Sequence, residues 1–438
     1  MGMNEPSIAP AVQPVPPPKW RSPIIVKLGL ITGLALALLI PLALLQPVVA
    51  GRAGLHAEAV AEIDSEWGAS QTIVGPLLVV PLEQGVGYVF PDELKVGGAL
   101  APETRHRGIY EAIVYAATFK VDGTFRRPTP AELGVPAAQI HWDQAYVAIA
   151  VTDLRGTGTQ VILDWGSTKQ AFLPGSLIQR SPGGLHVPVA LTADSVAFSF
   201  ELPVHGSQGV RFAPLGVHND VTLKSSWPNP SFTGAFLPRT HDVSADGFVA
   251  TWSVSNYGRD FGQVVHGDLP TGVDGALFGV NLLPGVDSYR SVDRAVQYGV
   301  LFVVLAFMSF FLFEVVAKVR IHPFQYAMVG LALGVFFLIL LALAELVPFV
   351  IAYSAATAGT IVLVVSYMLP VLKTGKRTGI AAALLGASFS VLWVVLQAED
   401  YALLTGSLVV FAALAVTMRL TRKLDWYAEA APSAVKPT

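Results

Sequence analysis

The stretch "LLALAELVPFV", Leu340–Val350, carries one charge, Glu345, and that is the only charged residue between Phe324 and Leu372. A helix crosses the hydrocarbon core of a bilayer in about 20 residues, so one helix cannot occupy the whole uncharged run. The chain must turn inside it. Glu345 followed by Pro348 is the place where a turn fits, because proline interrupts a helix. The run therefore reads as two spanning helices with Glu345 at a wet helix end between them.

Working outward, four more hydrophobic segments fall into place. The chain has 438 residues, 53% hydrophobic and only 13% charged, a composition of membrane proteins. Six segments are long enough to span: about Ile24–Val49, Ala295–Ala317, Phe324–Ala344, Val347–Leu372, Gly379–Leu396 and Tyr401–Met418. Short loops sort by charge. Lys19, Arg21 and Lys27 precede the first segment, Lys318 and Arg320 follow the second, Lys373, Lys376 and Arg377 follow the fourth, and Arg419, Arg422 and Lys423 follow the sixth. The loops at Glu345 and at Glu399–Asp400 have no Lys or Arg. The positive-inside rule then puts both termini in the cytoplasm and the long segment after the first helix on the other side. The apolar run of the first segment is longer than a signal-peptide core, so it reads as an uncleaved anchor rather than a cleaved leader.

The expected organisation is an α+β membrane protein. Residues 1–23 form a disordered, proline-rich cytoplasmic tail and 24–50 a transmembrane anchor. Residues 51–293 form a large β-rich, sandwich-like antiparallel extracytoplasmic domain. Residues 294–423 form a C-terminal bundle of five transmembrane helices, and 424–438 a cytoplasmic tail. "GRAGLHAEAVAEIDSEWGAS" extends the anchor as an amphipathic helix that Gly68 ends. Beyond it, short runs such as "PLLVVPL", "YEAIVYAATFKVDGTF" and "SVAFSFELPVHG" alternate and are bounded by Gly, Pro, Asp or Asn, as strands are. "DG" in the second of these reads as a turn.

Within the bundle, "GLALG" (Gly330–Gly334), "SAATAG" (Ser354–Gly359) and "GASFS" (Gly386–Ser390) offer small residues at helix-packing spacing. Glu314 lies four residues before Lys318, which predicts an ion pair at the cytoplasmic interface. Glu314, Glu345 and Glu399 are the acidic candidates for a functional role in the bundle. Trp227, in the Pro-, Gly- and aromatic-rich "SSWPNPSFTGAFLP", is the candidate in the exported domain, as part of either a rigid packed loop or a recognition surface. Asp153 and Arg155 in "TDLRG" read as a capped turn with a surface arginine.

Several chemistries are disfavoured. A net charge of −3 offers no field for nucleic acid. The absence of cysteine excludes disulfides and thiolate chemistry. Eight of the nine histidines lie between His56 and His266, none at metal-ligand spacing. No nucleophile elbow, phosphate-binding loop or dinucleotide fingerprint is present. No cofactor and no catalytic residue are expected, and the partners are membrane lipids with an envelope protein or lipid on the exported domain. Transport or channel activity on the acidic residues of the bundle is the alternative.

The chain resembles the CreD family of inner-membrane proteins of Gram-negative bacteria, described as cell-envelope integrity proteins. The resemblance rests on stretches in order along nearly the whole chain: "RGIY" (Arg107–Tyr110), "DLRG" (Asp153–Gly156), "SSWPNPSFTGAFLP" (Ser225–Pro238), "GFVATW" (Gly247–Trp252), "FFLFE" ending at Glu314, "HPFQY" (His322–Tyr326), "LALAE" ending at Glu345, "ALLTG" (Ala402–Gly406) and "DWY" (Asp425–Tyr427). The family pattern has Ser-Glu-His where this chain has Ala344, Glu345 and Leu346, which weakens a proton-transfer role for Glu345. The resemblance implies envelope maintenance, linked to two-component stress signalling, colicin tolerance and β-lactam response, and it implies no catalytic residues.

Overall fold

The computed structural model describes residues 23–158, 160–178, 183–284, 288–317, 319, 321–398 and 401–422. The expectations for the terminal tails, for Lys318, Arg320 and Lys423 and for the loop at Glu399–Asp400 concern residues outside these. The chain divides into two compact units, Met1–Arg52 with Ser288–Thr438, and Ala53–Asp287. Among the described residues, six helices are long and apolar enough to cross a membrane.

In the helical unit, α1 (Pro23–Trp67) contributes its residues up to Arg52. Helix α2 (Gly272–Gly275) belongs to the other unit. The remaining helices are α3 (Ser288–Gln297), α4 (Gly299–Ala317), α5 (Pro323–Ala344), α6 (Phe349–Leu372), α7 (Gly375–Gln397) and α8 (Ala402–Thr421). Phe302 and Phe336 both pack on Phe389, with ring centroids 4.7 and 4.8 Å apart, and Tyr353 and Phe337 complete this aromatic centre. The Tyr353 hydroxyl donates to the Phe389 carbonyl at 2.7 Å, so the one polar atom of the ring finds a partner in an apolar place. The segment read as one span from Ala295 is two helices. Helix α3 is amphipathic: Ser291, Val292, Ala295 and Val296 are buried, with α3 packed on α5 and α7, while Arg290 is exposed. Its charged face breaks the apolar run, so the spanning helix begins only at Gly299.

Two sequence motifs work as helix ends. In "HPFQY", the Phe324 N–H donates to His322 Nδ1 at 3.2 Å and the His322 N–H donates to Gln325 Oε1 at 2.9 Å. With Pro323 in the first turn, this is a capping box opening α5. Glu345–Pro348 forms the turn between α5 and α6, with the Leu346 N–H donating to the Leu343 carbonyl at 2.9 Å.

The small-residue reading needs correction. A side chain at Gly330 would collide with Leu38 and Phe307, but Gly334, Gly359 and Gly386 have no neighbour where a Cβ would stand. Helix α8 buries little of its surface. Ala402 and Gly406 are its buried positions, and the Thr417 hydroxyl lies 2.9 Å from Met308 Sδ on α4. Its large side chains, Leu403, Leu408 and Phe411 among them, are exposed as lipid-facing residues are.

Among its described residues the β-rich unit contains seventeen strands: β1 (Gln71–Pro81), β2 (Val86–Val89), β3 (Glu93–Arg107), β4 (Tyr110–Arg126), β5 (Tyr146–Val151), β6 (Ile162–Trp165), β7 (Thr168–Ala171), β8 (Leu173–Pro174), β9 (Gly184–Pro188), β10 (Ser195–Ser207), β11 (Gly209–Phe212), β12 (His218–Ser225), β13 (Pro230–Gly234), β14 (Thr240–Ser244), β15 (Gly247–Ser255), β16 (Val264–His266) and β17 (Phe278–Leu282). One sheet has nine strands, in the order β13-β17-β11-β1-β5-β9-β8, with β2 and β16 attached beside β1. The other has eight, in the order β14-β15-β12-β3-β4-β10-β6-β7. Inner faces of both supply one core, with Leu78, Ile149 and Phe278 from the first and Phe119, Phe200 and Trp252 from the second. This is the sandwich read from the sequence. It is not wholly antiparallel, since β1 pairs β11 and β3 pairs β12 in parallel.

The "DG" expected as a turn lies inside β4, where Gly123 pairs with Leu94. A Cβ there would stand 2.0 Å from the Glu93 carbonyl oxygen, so glycine serves close strand approach rather than a bend. Gly68, by contrast, does end α1. Its φ of +143° suits glycine, and its N–H donates to the Asp64 carbonyl at 3.0 Å.

The hairpin β3–β4 is longer than its neighbours. Strand β12 pairs β3 only as far as Leu100, and β10 pairs β4 only from Val114. Beyond these points Ala101–Arg107 ladder with β4 alone, leaving a two-stranded arm with Gly108 and Ile109 at its tip. A two-stranded ribbon is marginal by itself. Here Val60, Ile63 and Trp67 of α1 lie against Ala112 and Val114 and bury one face of the arm.

Candidate functional site

Of the four positions singled out by sequence, Glu314 and Glu345 lie in the helical unit and Trp227 in the β-rich unit. Glu314 sits in the last turns of α4 with its side chain turned inward, and the residue is 7% exposed. The Ile321 N–H donates to Oε1 at 3.0 Å and the Tyr326 hydroxyl donates to Oε2 at 2.7 Å. Tyr326 is itself buried edge-on to Phe307. A carboxylate at an apolar depth is costly unless its oxygens accept hydrogen bonds, and these two donors tie the end of α4 to the start of α5. The expected partner, Lys318, lies outside the described residues.

Glu345 closes α5 and is not as wet as the sequence suggested. Its side chain is 12% exposed, and Oε1 lies 3.6 Å from Arg52 Nε. The basic residue missing from the short loops is thus supplied by α1. Glu399 lies outside the described residues.

Trp227 is packed. Its indole N–H donates to the Leu283 carbonyl at 2.7 Å, its backbone N–H donates to Ser225 Oγ, and its ring lies against the main core. The same motif then crosses from the eight-stranded to the nine-stranded sheet as β13, placing Phe232 on Trp252 at 5.7 Å and Phe236 on Phe278 at 6.1 Å. The Trp252 indole donates to the Phe236 carbonyl. "SSWPNPSFTGAFLP" closes one end of the sandwich.

A denser polar cluster, not anticipated as a unit, surrounds the end of α1 inside the β-rich unit. Trp67 stacks on His205, centroids 4.5 Å apart and planes 6° apart, while the Arg105 guanidinium lies 4.1 Å above the Trp67 ring. Arg107 of "RGIY" pairs with Glu62 and, at 3.1 Å, with Glu66. Tyr110 packs on His56. Arg155 of "DLRG" donates to Asp153 and to the Ser65 carbonyl at the end of α1. That forked contact holds the Asp153 carboxyl below the usual carboxylate range and raises the guanidinium. Fully buried Gln71 donates to the Asp153 and His205 carbonyls at 2.9 and 2.6 Å. The signal in the sequence was the pair of short Arg-Gly motifs, whose common target only the fold reveals.

Chemically the cluster is a brace. Its guanidinium groups face carboxylates, carbonyls and a ring, and each is engaged in holding the helix. Arg259 is a second engaged cation. It donates to the Pro214 and Leu215 carbonyls, lies over Phe261 at 4.4 Å, and burial pushes it down to about 10. Among the described residues no group of three His, Asp or Glu is arranged to hold a metal ion.

Residues 23–427 match the family described as "Inner membrane protein CreD". The chain belongs to the CreD family. Among CreD proteins it is 31% identical over 432 residues to the "Inner membrane protein CreD" of Escherichia coli (strain K12), covering 94% of this chain and 96% of that relative. The braced helix end, the capped α5 and the closed sandwich end all lie within the matched residues of this CreD chain.

Proposed function

We propose that the protein is a non-enzymatic inner-membrane component that supports envelope integrity, with its β-rich unit in the periplasm engaging an envelope partner. One observation carries this reading. The eight-stranded sheet leaves its outer face open, exposing Lys95, Gly97 and Ala99 on β3, Thr118 and Lys120 on β4 and Lys224 on β12. Among the described residues the nine-stranded sheet has its central strands covered on both faces. The periplasmic side is supported by the basic residues Lys373, Lys376, Arg377, Arg419 and Arg422 at the α6–α7 turn and the end of α8.

The test is co-purification. Full-length protein in native lipid discs is compared with the double variant Ala99→Arg, Thr118→Arg by mass spectrometry of proteins and lipids. Loss of one protein or lipid class from the variant supports the reading and names the partner's class. Identical profiles count against it.

The second reading, a transporter or channel acting through acidic residues of the bundle, is favoured by the buried Glu314–Tyr326 contact. It expects Glu314→Gln to abolish survival under envelope stress at normal protein level. Full survival removes its support.

A further inference from the structure

The outer face of the eight-stranded sheet is covered at one end and open beyond it. On β4 the residues that alternate with Phe119 and Val121 point outward, and this set includes Ala112, Val114, Thr118 and Lys120. Ala112 and Val114 lie under Val60, Ile63 and Trp67 of α1. From the same face, Arg105 and His205 meet Trp67, and Arg107 meets Glu62 and Glu66. That end is a helix seat, with apolar helix side chains on the strand and helix glutamates paired to a strand arginine. Gly68 stops α1, and the face continues through Ala99, Thr118, Gly97, Lys120 and Lys224, all exposed. In register, Ala99 lies between Lys224 and Thr118, and Gly97 between Thr222 and Lys120.

Gly97 is out of place for its surroundings. It lies in an interior strand, where glycine costs stability. Among the described residues, every other strand glycine has an atom of the protein within 4 Å of where a Cβ would stand. Gly97 has none, and its φ is outside the left-handed range. Neither the packing nor the backbone of this chain calls for glycine there, whereas close approach by another molecule does. The charges beside it are also free. Lys95, Arg105, Arg107, Arg126 and Lys169 on this face each pair with a carboxylate. Among the described residues Lys120 and Lys224 pair with none, although Glu201 stands opposite Lys120 in register. Their strands lie on either side of β3, about 10 Å apart, which is the width of a helix. One row farther from α1, Asp220 and Asp122 flank Lys95, so the open face turns from basic to acidic along its length.

We propose that this open half seats a helix of a partner protein, laid along β3 in line with α1. Its small or apolar stripe lies over Gly97, its carboxylates face Lys120 and Lys224, and basic residues about two turns away face Asp122 and Asp220. The proposal rests on the reading that the open face binds an envelope partner, and it assigns that partner to protein rather than lipid. A helix is favoured over an extended segment because interior strands present no free backbone edge, and because this face already takes a helix at its other end.

Photocrosslinking tests it. Full-length protein carrying a benzophenone side chain at Val249 or at Ser253, both exposed on β15 beside the seat, is irradiated in native membranes, and the adducts are mapped to single residues by mass spectrometry. The two positions are about 13 Å apart along the strand, which corresponds to about nine residues of helix or about four of strand. The expected result is that both labels mark one protein, at residues about nine apart with an acidic residue between them. Adduct yield should fall at least tenfold in Gly97→Tyr and in the double variant Lys120→Glu, Lys224→Glu. Gly97→Tyr should keep its denaturant midpoint, because it puts a strand-favouring residue into open space; if it unfolds, the double lysine variant decides alone. Adducts with lipid only, adducts about four residues apart, or a yield unchanged by the lysine variant overturn the proposal. Lipid adducts that vanish in Ala99→Arg, Thr118→Arg leave the open-face reading standing without the helix. No adduct at either position also overturns the proposal, and with an unchanged co-purification profile for Ala99→Arg, Thr118→Arg the open-face reading falls as well.

Discussion

The two sheets of the β-rich unit are built from different sequence patterns. Strands β1 and β5 of the nine-stranded sheet are nearly continuous apolar runs, because their inner side chains enter the main core and their outer ones a second core with Leu77, Val79, Ala148, Phe90 and Leu215. Strands β3, β10 and β12 of the eight-stranded sheet alternate, with a buried residue followed by an exposed one. A sheet covered on both sides cannot tolerate polar alternation, and a sheet with one wet face requires it. The contrast separates a structural sheet from one free to meet something else.

The largest expected effect is a charge placed on the outer face of each sheet. Ala148→Asp puts a carboxylate where the native side chain has no exposure, and should remove more than about 4 kcal/mol of stability or prevent folding. Thr118→Asp, on the open face, should stay within about 0.5 kcal/mol. Denaturant midpoints followed by tryptophan emission measure both, and similar losses at the two positions would break the distinction. Next, Trp252→Ala should cost about 3–5 kcal/mol, since the indole is fully buried between the sheets. Leu77→Ala, which faces only the second core, should cost about 2–4 kcal/mol. A loss under about 1 kcal/mol would show that the loops over that face hold it loosely.

The smallest effect is electrostatic and belongs to the end of β4. Arg126 donates to Glu132 through both terminal nitrogens, and with Thr129 this holds the Glu132 carboxyl down to about 2. An unfolded glutamate titrates near 4.3. The depressed group therefore contributes stability that is complete above that value and fades as pH falls toward 2. The pair is partly exposed, so solvent screening limits the contribution to about 1 kcal/mol or less. Comparing Glu132→Gln with the unaltered protein at pH 6 and pH 2.5 checks it: the gap should narrow at the lower pH.

Much of this architecture was legible because it is local. Apolar length announced the spanning helices, and Glu345 with Pro348 marked the turn between α5 and α6 that the structure has. Strand runs such as "PLLVVPL" were visible by composition, although nothing in them said which sheet they would join. Distance in sequence hid the rest. The counter-charge of Glu345 is on α1, the donors to Glu314 belong to the following loop and helix, and Arg107 at the end of β3 and Arg155 in the turn after β5 converge on one helix end. The "DG" within β4 misled because its glycine answers to a neighbouring strand. Only the last residues of α3, 295–297, were read into the span after them, because no charge follows Arg294 until Glu314.

The position of β1 has a consequence for the time course of biosynthesis. This strand emerges early, but its parallel partner β11 and the antiparallel β17 beyond it arrive much later. About 200 residues separate β1 from β17, or roughly 10–40 seconds of synthesis at about 5–20 residues per second. During that interval "PLLVVPL" is an apolar strand without its full set of neighbours, the kind of segment that templates aggregation. The nascent chain thus depends on whatever shields β1 until β11 is made, and a pause in translation near Gly175, before that strand, should prove more harmful than one near Gly272.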